Sequence, residues 1–115
     1  MKILEDQTRI SSTPHWASPE TIQGTTYGRK ADIWSLGCSV VEMFTKNPPW
    51  HELSPIAAIF QIATCDKPKY TLPETASIFA RQFLDLCFTK DYHQRPTADD
   101  LLKHPFILDQ LSSVL

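Results

Sequence analysis

The stretch ADIWSLGCSVVEMF, residues 31–44, carries the clearest secondary-structure signal in the chain. Five apolar residues follow the i, i+3, i+4 spacing of one helical face: Ile33, Leu36, Val40, Val41 and Phe44. The opposite side is apolar too, since it carries Trp34, Cys38 and Met43. A helix that is hydrophobic nearly all round is typical of a protein interior. The sequence therefore predicts that this helix is the axis of the core.

Further helices are predicted by capping residues and apolar spacing on the C-terminal side of that stretch. The Ser-Pro pair at 54–55 is typical of a helix start, and the apolar pattern continues to position 63. Residues 75–89 have apolar side chains at helical spacing. Thr97, followed three residues later by an aspartate, resembles a capping box and predicts a helix that ends before the His-Pro pair at 104–105. Because strand-like alternation is almost absent, we predict a mainly α fold.

Composition excludes several classes of protein. The 115 residues are 42% hydrophobic and 21% charged, as in an ordinary globular domain, and the net charge of −2 gives no basic surface for nucleic acid. No apolar run reaches the roughly 18 residues that a membrane span needs. Three cysteines at distant positions predict reduced, buried thiols. We therefore expect a cytoplasmic protein without a membrane span and without a nucleic-acid partner.

The stretch TPHWASPE, residues 13–20, predicts a shaped loop on the N-terminal side of the central helix. Its two prolines disfavour helical geometry at Thr13 and Ser18, the residues before them. Proline at the first helical position is nevertheless tolerated, so a short helix can begin after Ser18. The large apolar side chain of Trp16 indicates that the loop packs against the rest of the domain.

Three stretches in this order carry a resemblance: TPHWASPE (13–20), ADIWSLGCSVVEM (31–43) and HQRPTADDLLKHPF (93–106). Together they resemble the C-terminal part of a protein kinase domain. YGRKADIWSLGCSVVEM followed by NPPW is most similar to the MAP kinase kinase kinase branch of the serine/threonine kinases. The resemblance covers residues 11–106 and implies the helical C-terminal lobe of a kinase-like fold.

The same resemblance divides the chain into three parts. Residues 1–12 are an extension similar to part of an activation segment, and residues 13–106 are a partial kinase domain. Residues 107–115 are a C-terminal tail that we expect to form a short helix.

The resemblance also implies roles for single residues. Glu20 matches the glutamate of the Ala-Pro-Glu motif, and Arg95 matches the arginine that pairs with it. The two residues are therefore expected to form a structural ion pair. Asp32 matches an aspartate that anchors the catalytic loop. The alternative explanation is local, because the helix dipole stabilises a carboxylate in the first turn of a helix. The resemblance also implies a pocket for the substrate residue that follows the phosphorylated hydroxyl. The residues that would form it are Thr13, Pro14, His15, Trp16, Ala17 and Ser18.

Candidate phosphorylation sites are Thr8, Ser11 and Ser12, because phosphate there could order the segment against basic residues. Ser12 is a departure from the family pattern, since this branch often has glycine at that position. Serine restricts the backbone more than glycine does.

The motifs for phosphoryl transfer do not occur in the sequence. HRD and DFG are missing, and Gly24, Gly28 and Gly37 are not spaced as GxGxxG. We therefore expect the N-terminal lobe and the catalytic loop to be absent, and this chain alone to be inactive, with no catalytic, cofactor-binding or metal-binding residue. The parent family uses ATP and Mg2+, and a MAP kinase kinase is the implied protein substrate. A non-catalytic protein-binding module and a truncated, pseudogene-like product stay open as alternatives.

Overall fold

The computed structural model of the protein describes residues 14–24 and 28–114. A 3-10 helix over Pro14–Trp16 precedes six α-helices. These are α1 (Pro19–Ile22), α2 (Arg29–Thr45), α3 (Pro55–Thr64), α4 (Ile78–Cys87), α5 (Ala98–Leu102) and α6 (Pro105–Val114). No strand occurs within the described ranges. The prediction of a mainly α fold is confirmed.

Serine side chains cap the starts of three helices. The hydroxyl oxygens of Ser18, Ser54 and Ser77 accept hydrogen bonds from backbone N–H groups in the first turns of α1, α3 and α4. The starts predicted after Ser18 and Ser54 are confirmed. The start predicted near residue 75 for α4 is wrong, because the Ser77 cap fixes it at Ile78.

The predicted capping box at the start of α5 is present. The Thr97 hydroxyl accepts a hydrogen bond from the Asp100 backbone N–H at 3.2 Å, and the Asp100 carboxylate accepts one from the Thr97 N–H at 3.1 Å. The hydrogen bond from the Thr97 backbone N–H lowers the pKa of Asp100 most, and the Thr97 side chain and nearby lysines add to the effect. The exposed box therefore defines where this five-residue helix begins.

Replacing Thr97 with alanine is expected to raise the pKa of Asp100 part of the way toward its ordinary value near 3.8, because the Thr97 side-chain contribution is lost while the backbone N–H remains. Since the folded pKa lies below the unfolded one, the carboxylate contributes stability above the unfolded pKa and loses it as the pH falls through the folded pKa. An NMR titration of the Asp100 carboxyl carbon measures the shift. Thr97→Ser keeps the hydroxyl and should keep the low pKa. An unchanged pKa in Thr97→Ala would show that the Thr97 hydroxyl does not order the box.

The main core lies between α2 and α4. Buried α2 residues Trp34, Cys38 and Val41 pack with Phe83, Leu84, Cys87 and Phe88 from α4 and its C-cap. A second buried cluster joins the N-terminal segment to α3 and the loop before it. Its members are Ala17, Ile22, Trp50, Ala58 and Ile62. Helix α3 and the loop before it therefore support the N-terminal segment. Helix α2 supports it as well, through hydrogen bonds to its backbone.

The sequence predicts that α2 is buried on nearly all sides, and the structure contradicts this prediction. Leu36 is 40% exposed and Met43 is 75% exposed, whereas Val41 is fully buried. Within the described residues, α4 covers one face of α2 and the N-terminal segment covers part of another. Residues 14–24 and 28–114 leave the face that contains Met43 uncovered.

The C-terminal helix α6 begins at Pro105 and crosses the boundary between residues 106 and 107. Its first turn is part of the domain, since Phe106 and Ile107 pack against the main core. The Phe106 ring lies 5.0 Å from that of Phe83, centroid to centroid. Among the helices described, none is long and apolar enough to cross a membrane.

Candidate functional site

The side chain of Arg95 uses every donor of its guanidinium group. Its Nε–H donates to the carbonyl of Thr89, and its Nη1 and Nη2 groups donate to the carbonyls of Lys30 and Lys90 and to both carboxylate oxygens of Glu20. A guanidinium has five N–H groups, so none is left unsatisfied. Arg95 is only 1% exposed. Complete satisfaction is what allows a permanent charge to be buried here.

Glu20 and Arg95 form a two-pronged ion pair. The Nη1–Oε2 distance is 2.8 Å and the Nη2–Oε1 distance is 3.0 Å, the geometry in which guanidinium and carboxylate match best. The Trp34 ring lies 5.1 Å from the guanidinium carbon, within range of a cation–π contact. The two residues are 75 positions apart. The pair therefore ties α1 to the loop that precedes α5.

Helix α2 holds the segment Pro14–Ser18 by its backbone. The Ser35 hydroxyl donates to the carbonyl of Trp16 at 2.9 Å, and the Cys38 thiol points to the carbonyl of His15 at 3.6 Å. Ser35 and Cys38 are three positions apart and so lie on one helical face. Two consecutive carbonyls of the segment are therefore fixed against the same face of α2.

The opposite side of the segment contacts the loop before α3. The His15 ring Nε2 donates to the carbonyl of Leu53 at 3.1 Å. Ala17 is buried in the cluster that includes Trp50. Trp16 packs partly against the main core, as the sequence predicted for a large apolar side chain in this loop. The segment is thus bonded to α2 and to the loop before α3, with Ser18 as the cap of α1.

Asp32 takes no part in this network, and the remaining predicted site residues cannot be placed relative to it. Asp32 lies in the first turn of α2 and is exposed, and its carboxylate has no hydrogen-bond partner among residues 14–24 and 28–114. Its anchoring role stays a prediction. Thr13 and the candidate phosphorylation sites Thr8, Ser11 and Ser12 lie outside the described residues.

Sequence reasoning missed Lys30 and Ser35 as members of the site. Lys30 accepts from Arg95 through its carbonyl, and Ser35 donates to the carbonyl of Trp16. Such contacts join a side chain to a backbone carbonyl, and every residue has a carbonyl. The sequence therefore does not indicate which residue supplies the carbonyl. The one available signal for Ser35 was its position, three residues before Cys38 in the central helix.

The cysteines beside the site are kept as thiols. Burial raises the pKa of Cys38 well above the usual range for a thiol and that of Cys87 to about 12. Cys65 is half-buried, so the prediction that all three are buried is wrong for this one. All three are free, and the described part of the chain contains no cluster of three or more His, Cys, Asp or Glu residues able to hold a metal ion.

Comparison with known sequences identifies the family. The sequence model of the protein kinase domain matches residues 2–107 of the chain. The chain therefore belongs to the protein kinase domain family, and the resemblance to its C-terminal part is confirmed.

Two of the similar proteins are mitogen-activated protein kinase kinase kinases, and a third is a serine/threonine-protein kinase with another name. The chain is 52% identical over 97 residues to mitogen-activated protein kinase kinase kinase 3 of Homo sapiens, covering 84% of this chain and 15% of that protein. It is 44% identical over 100 residues to mitogen-activated protein kinase kinase kinase A of Dictyostelium discoideum, covering 87% of this chain and 11% of that protein. Serine/threonine-protein kinase 10 of Homo sapiens is 39% identical over 112 residues. The chain thus spans a small part of the length of these relatives.

Proposed function

We propose that this chain forms the helical, substrate-facing part of a serine/threonine kinase of the MAP kinase kinase kinase type. The parent reaction would transfer the γ-phosphate of ATP to a serine or threonine of a MAP kinase kinase. The similarity to two mitogen-activated protein kinase kinase kinases supports this branch. The three free thiols agree with a reducing, cytoplasmic location.

The observation that carries the proposal is the fixed backbone of Pro14–Ser18. Its carbonyls are held by Ser35 and Cys38, its His15 side chain is held by the loop before α3, and the Glu20–Arg95 pair follows directly after it. Positioning a substrate in productive geometry supplies a large part of enzymatic rate enhancement. A segment bonded in this way is suited to hold the residue that follows the phosphorylated hydroxyl.

The described residues do not fit the ATP and Mg2+ that the parent family uses. They contain no metal-ligating cluster, and the chain has no glycine-rich loop to surround phosphates. No step of phosphoryl transfer is therefore assigned to this chain. Its proposed contribution is to bind and orient the protein substrate.

A chimera tests this assignment. Residues 13–106 replace the matching stretch of human mitogen-activated protein kinase kinase kinase 3, and phosphate transfer to a MAP kinase kinase is measured. The chimera should retain transfer, and Arg95→Met within it should lose transfer while Arg81→Met keeps it. Arg81 is a matched control because its Nη2 makes a single hydrogen bond, to the carbonyl of Pro73 at the surface. A folded chimera that phosphorylates no MAP kinase kinase would overturn the proposal.

A second candidate function is that of a non-catalytic binding module, and α3 favours it. Ile56 is 73% exposed and Phe60 is 63% exposed, one turn apart on a helix without a single charged residue. Exposed apolar patches often mark protein-binding surfaces. On this view the purified chain binds a MAP kinase kinase in the absence of ATP, measured by calorimetry, and Phe60→Ser weakens the binding. Binding that is unaffected by Phe60→Ser would argue against this surface.

A further inference from the structure

Lys30 and Arg95 make reciprocal hydrogen bonds. The Lys30 carbonyl accepts from Arg95 Nη1 at 2.7 Å, and the Lys30 Nζ donates to the Arg95 carbonyl at 2.6 Å. The same ammonium donates to the carbonyl of Tyr92 at 3.1 Å. Both side-chain bonds are charge-assisted, which makes them stronger than bonds between neutral groups. Lys30 therefore contacts Arg95 at its side chain and at its backbone.

The first turns of α2 surround Arg95 from two directions. Lys30 and Trp34 are four positions apart and lie on the same face of the helix. Trp34 packs on the guanidinium of Arg95 at 5.1 Å, while the Lys30 ammonium holds the backbone of the loop from which Arg95 projects. With the loop fixed in this way, the guanidinium meets Glu20 in its two-pronged geometry.

We propose that Lys30 is a positioning residue for the Glu20–Arg95 pair. Its ammonium sets the position of the loop 91–95 relative to α2, and this determines how Arg95 faces Glu20. Contacts within the chain support this role of Lys30. It rests on the proposed function in one respect only, the effect that the alignment of the pair has on the substrate-binding segment Pro14–Ser18. Loss of the ammonium leaves the ion pair chemically intact but less well aligned.

The test compares two lysines in the 115-residue chain. Lys30→Met removes the ammonium and keeps an unbranched side chain. Lys67→Met is the matched control, because Lys67 Nζ donates to one exposed carbonyl, that of Asp85. Lys30→Met should lower the melting temperature by about 5 °C, and Lys67→Met by no more than about 1 °C. Lys30→Arg keeps a charged donor and should recover part of the loss. Equal shifts for Lys30→Met and Lys67→Met would overturn the proposal.

A second measurement separates positioning from general stabilisation. The Nε–H of Arg95, which donates to the carbonyl of Thr89 at 2.8 Å, is followed by nitrogen-15 NMR. In Lys30→Met its exchange with water should become faster by about tenfold or more, because a displaced guanidinium loses this bond. If Lys30→Met does not fold, Lys30→Gln is measured in the same way. An unchanged exchange rate in the folded variant would overturn the proposal.

A double-mutant cycle with Glu20→Gln completes the test. If Lys30 acts through the pair, Lys30→Met should lower the melting temperature less in the Glu20→Gln background than in the wild type. Additive effects would show that Lys30 acts independently of the pair. Because these measurements need no substrate, an inactive chimera would refute the proposed function without touching the role of Lys30.

Discussion

Replacing Arg95 with methionine is expected to destabilise the folded chain by about 3–5 kcal/mol, the usual cost of removing one partner from a buried ion pair. Methionine replaces the aliphatic stem of arginine with an unbranched apolar side chain but removes all five donors that Arg95 uses. Glu20 is only 4% exposed and would keep a carboxylate without its partner. The carbonyls of Thr89, Lys30 and Lys90 would lose a donor as well. This loss is a large share of the roughly 5–15 kcal/mol by which the folded state of a typical domain is more stable than the unfolded state.

Urea unfolding followed by circular dichroism measures this loss. Arg81→Met is the control, since it removes one surface hydrogen bond and should cost about 1 kcal/mol or less. Glu20→Gln keeps the size of the side chain and one carbonyl acceptor, so its cost should lie between those of the two arginine variants. It also provides a measurable variant if Arg95→Met fails to fold. Equal costs for Arg95→Met and Arg81→Met would contradict a buried, fully bonded Arg95.

Features that depend on neighbouring residues could be predicted from the sequence. Ser54 and the proline after it define the start of α3, and Thr97 with Asp100 defines that of α5, because each cap is formed within four residues. The predicted start of α4 near residue 75 is too early for a related reason. The segment 75–77 contains Thr75 and Ser77, both good caps by type, and only the structure shows that the Ser77 hydroxyl is the one that binds the helix.

Features that depend on the neighbours of a helix in space could not be predicted. Periodicity identified apolar positions on all sides of α2, but it does not say which sides have a packing partner. Met43 is consequently exposed, whereas Val41 is buried. The pairing of Glu20 with Arg95 was expected from the resemblance to kinases. Nothing in local sequence joins two residues 75 positions apart, and the same holds for the contacts of Lys30.

At Gly37, α2 packs closely on α4 and its C-cap. A Cβ atom built there would lie 2.8 Å from the Cβ of Cys87 and 2.9 Å from Cε1 of Phe88. The Cys87 Cβ is fixed by its own backbone, so it cannot move aside by a side-chain rotation. Relief of the contact requires the two helices to separate along the main core. The absence of a side chain at this position therefore allows α2 and α4 to approach closely.

Gly37→Ala is accordingly expected to destabilise the chain, although alanine favours a helix interior over glycine by about 1 kcal/mol. Overpacking a core costs about 1–3 kcal/mol, and contact with a fixed Cβ places this site toward the upper end, so the steric cost exceeds the helical gain. Gly28→Ser is the control, because a Cβ there meets no atom within 4 Å and the extended backbone of Gly28, with φ −174°, suits a serine cap. Thermal unfolding should show a lower melting temperature for Gly37→Ala and an equal or higher one for Gly28→Ser. If Gly37→Ala proved as stable as the wild type, α2 and α4 could not lie as close as the structure places them.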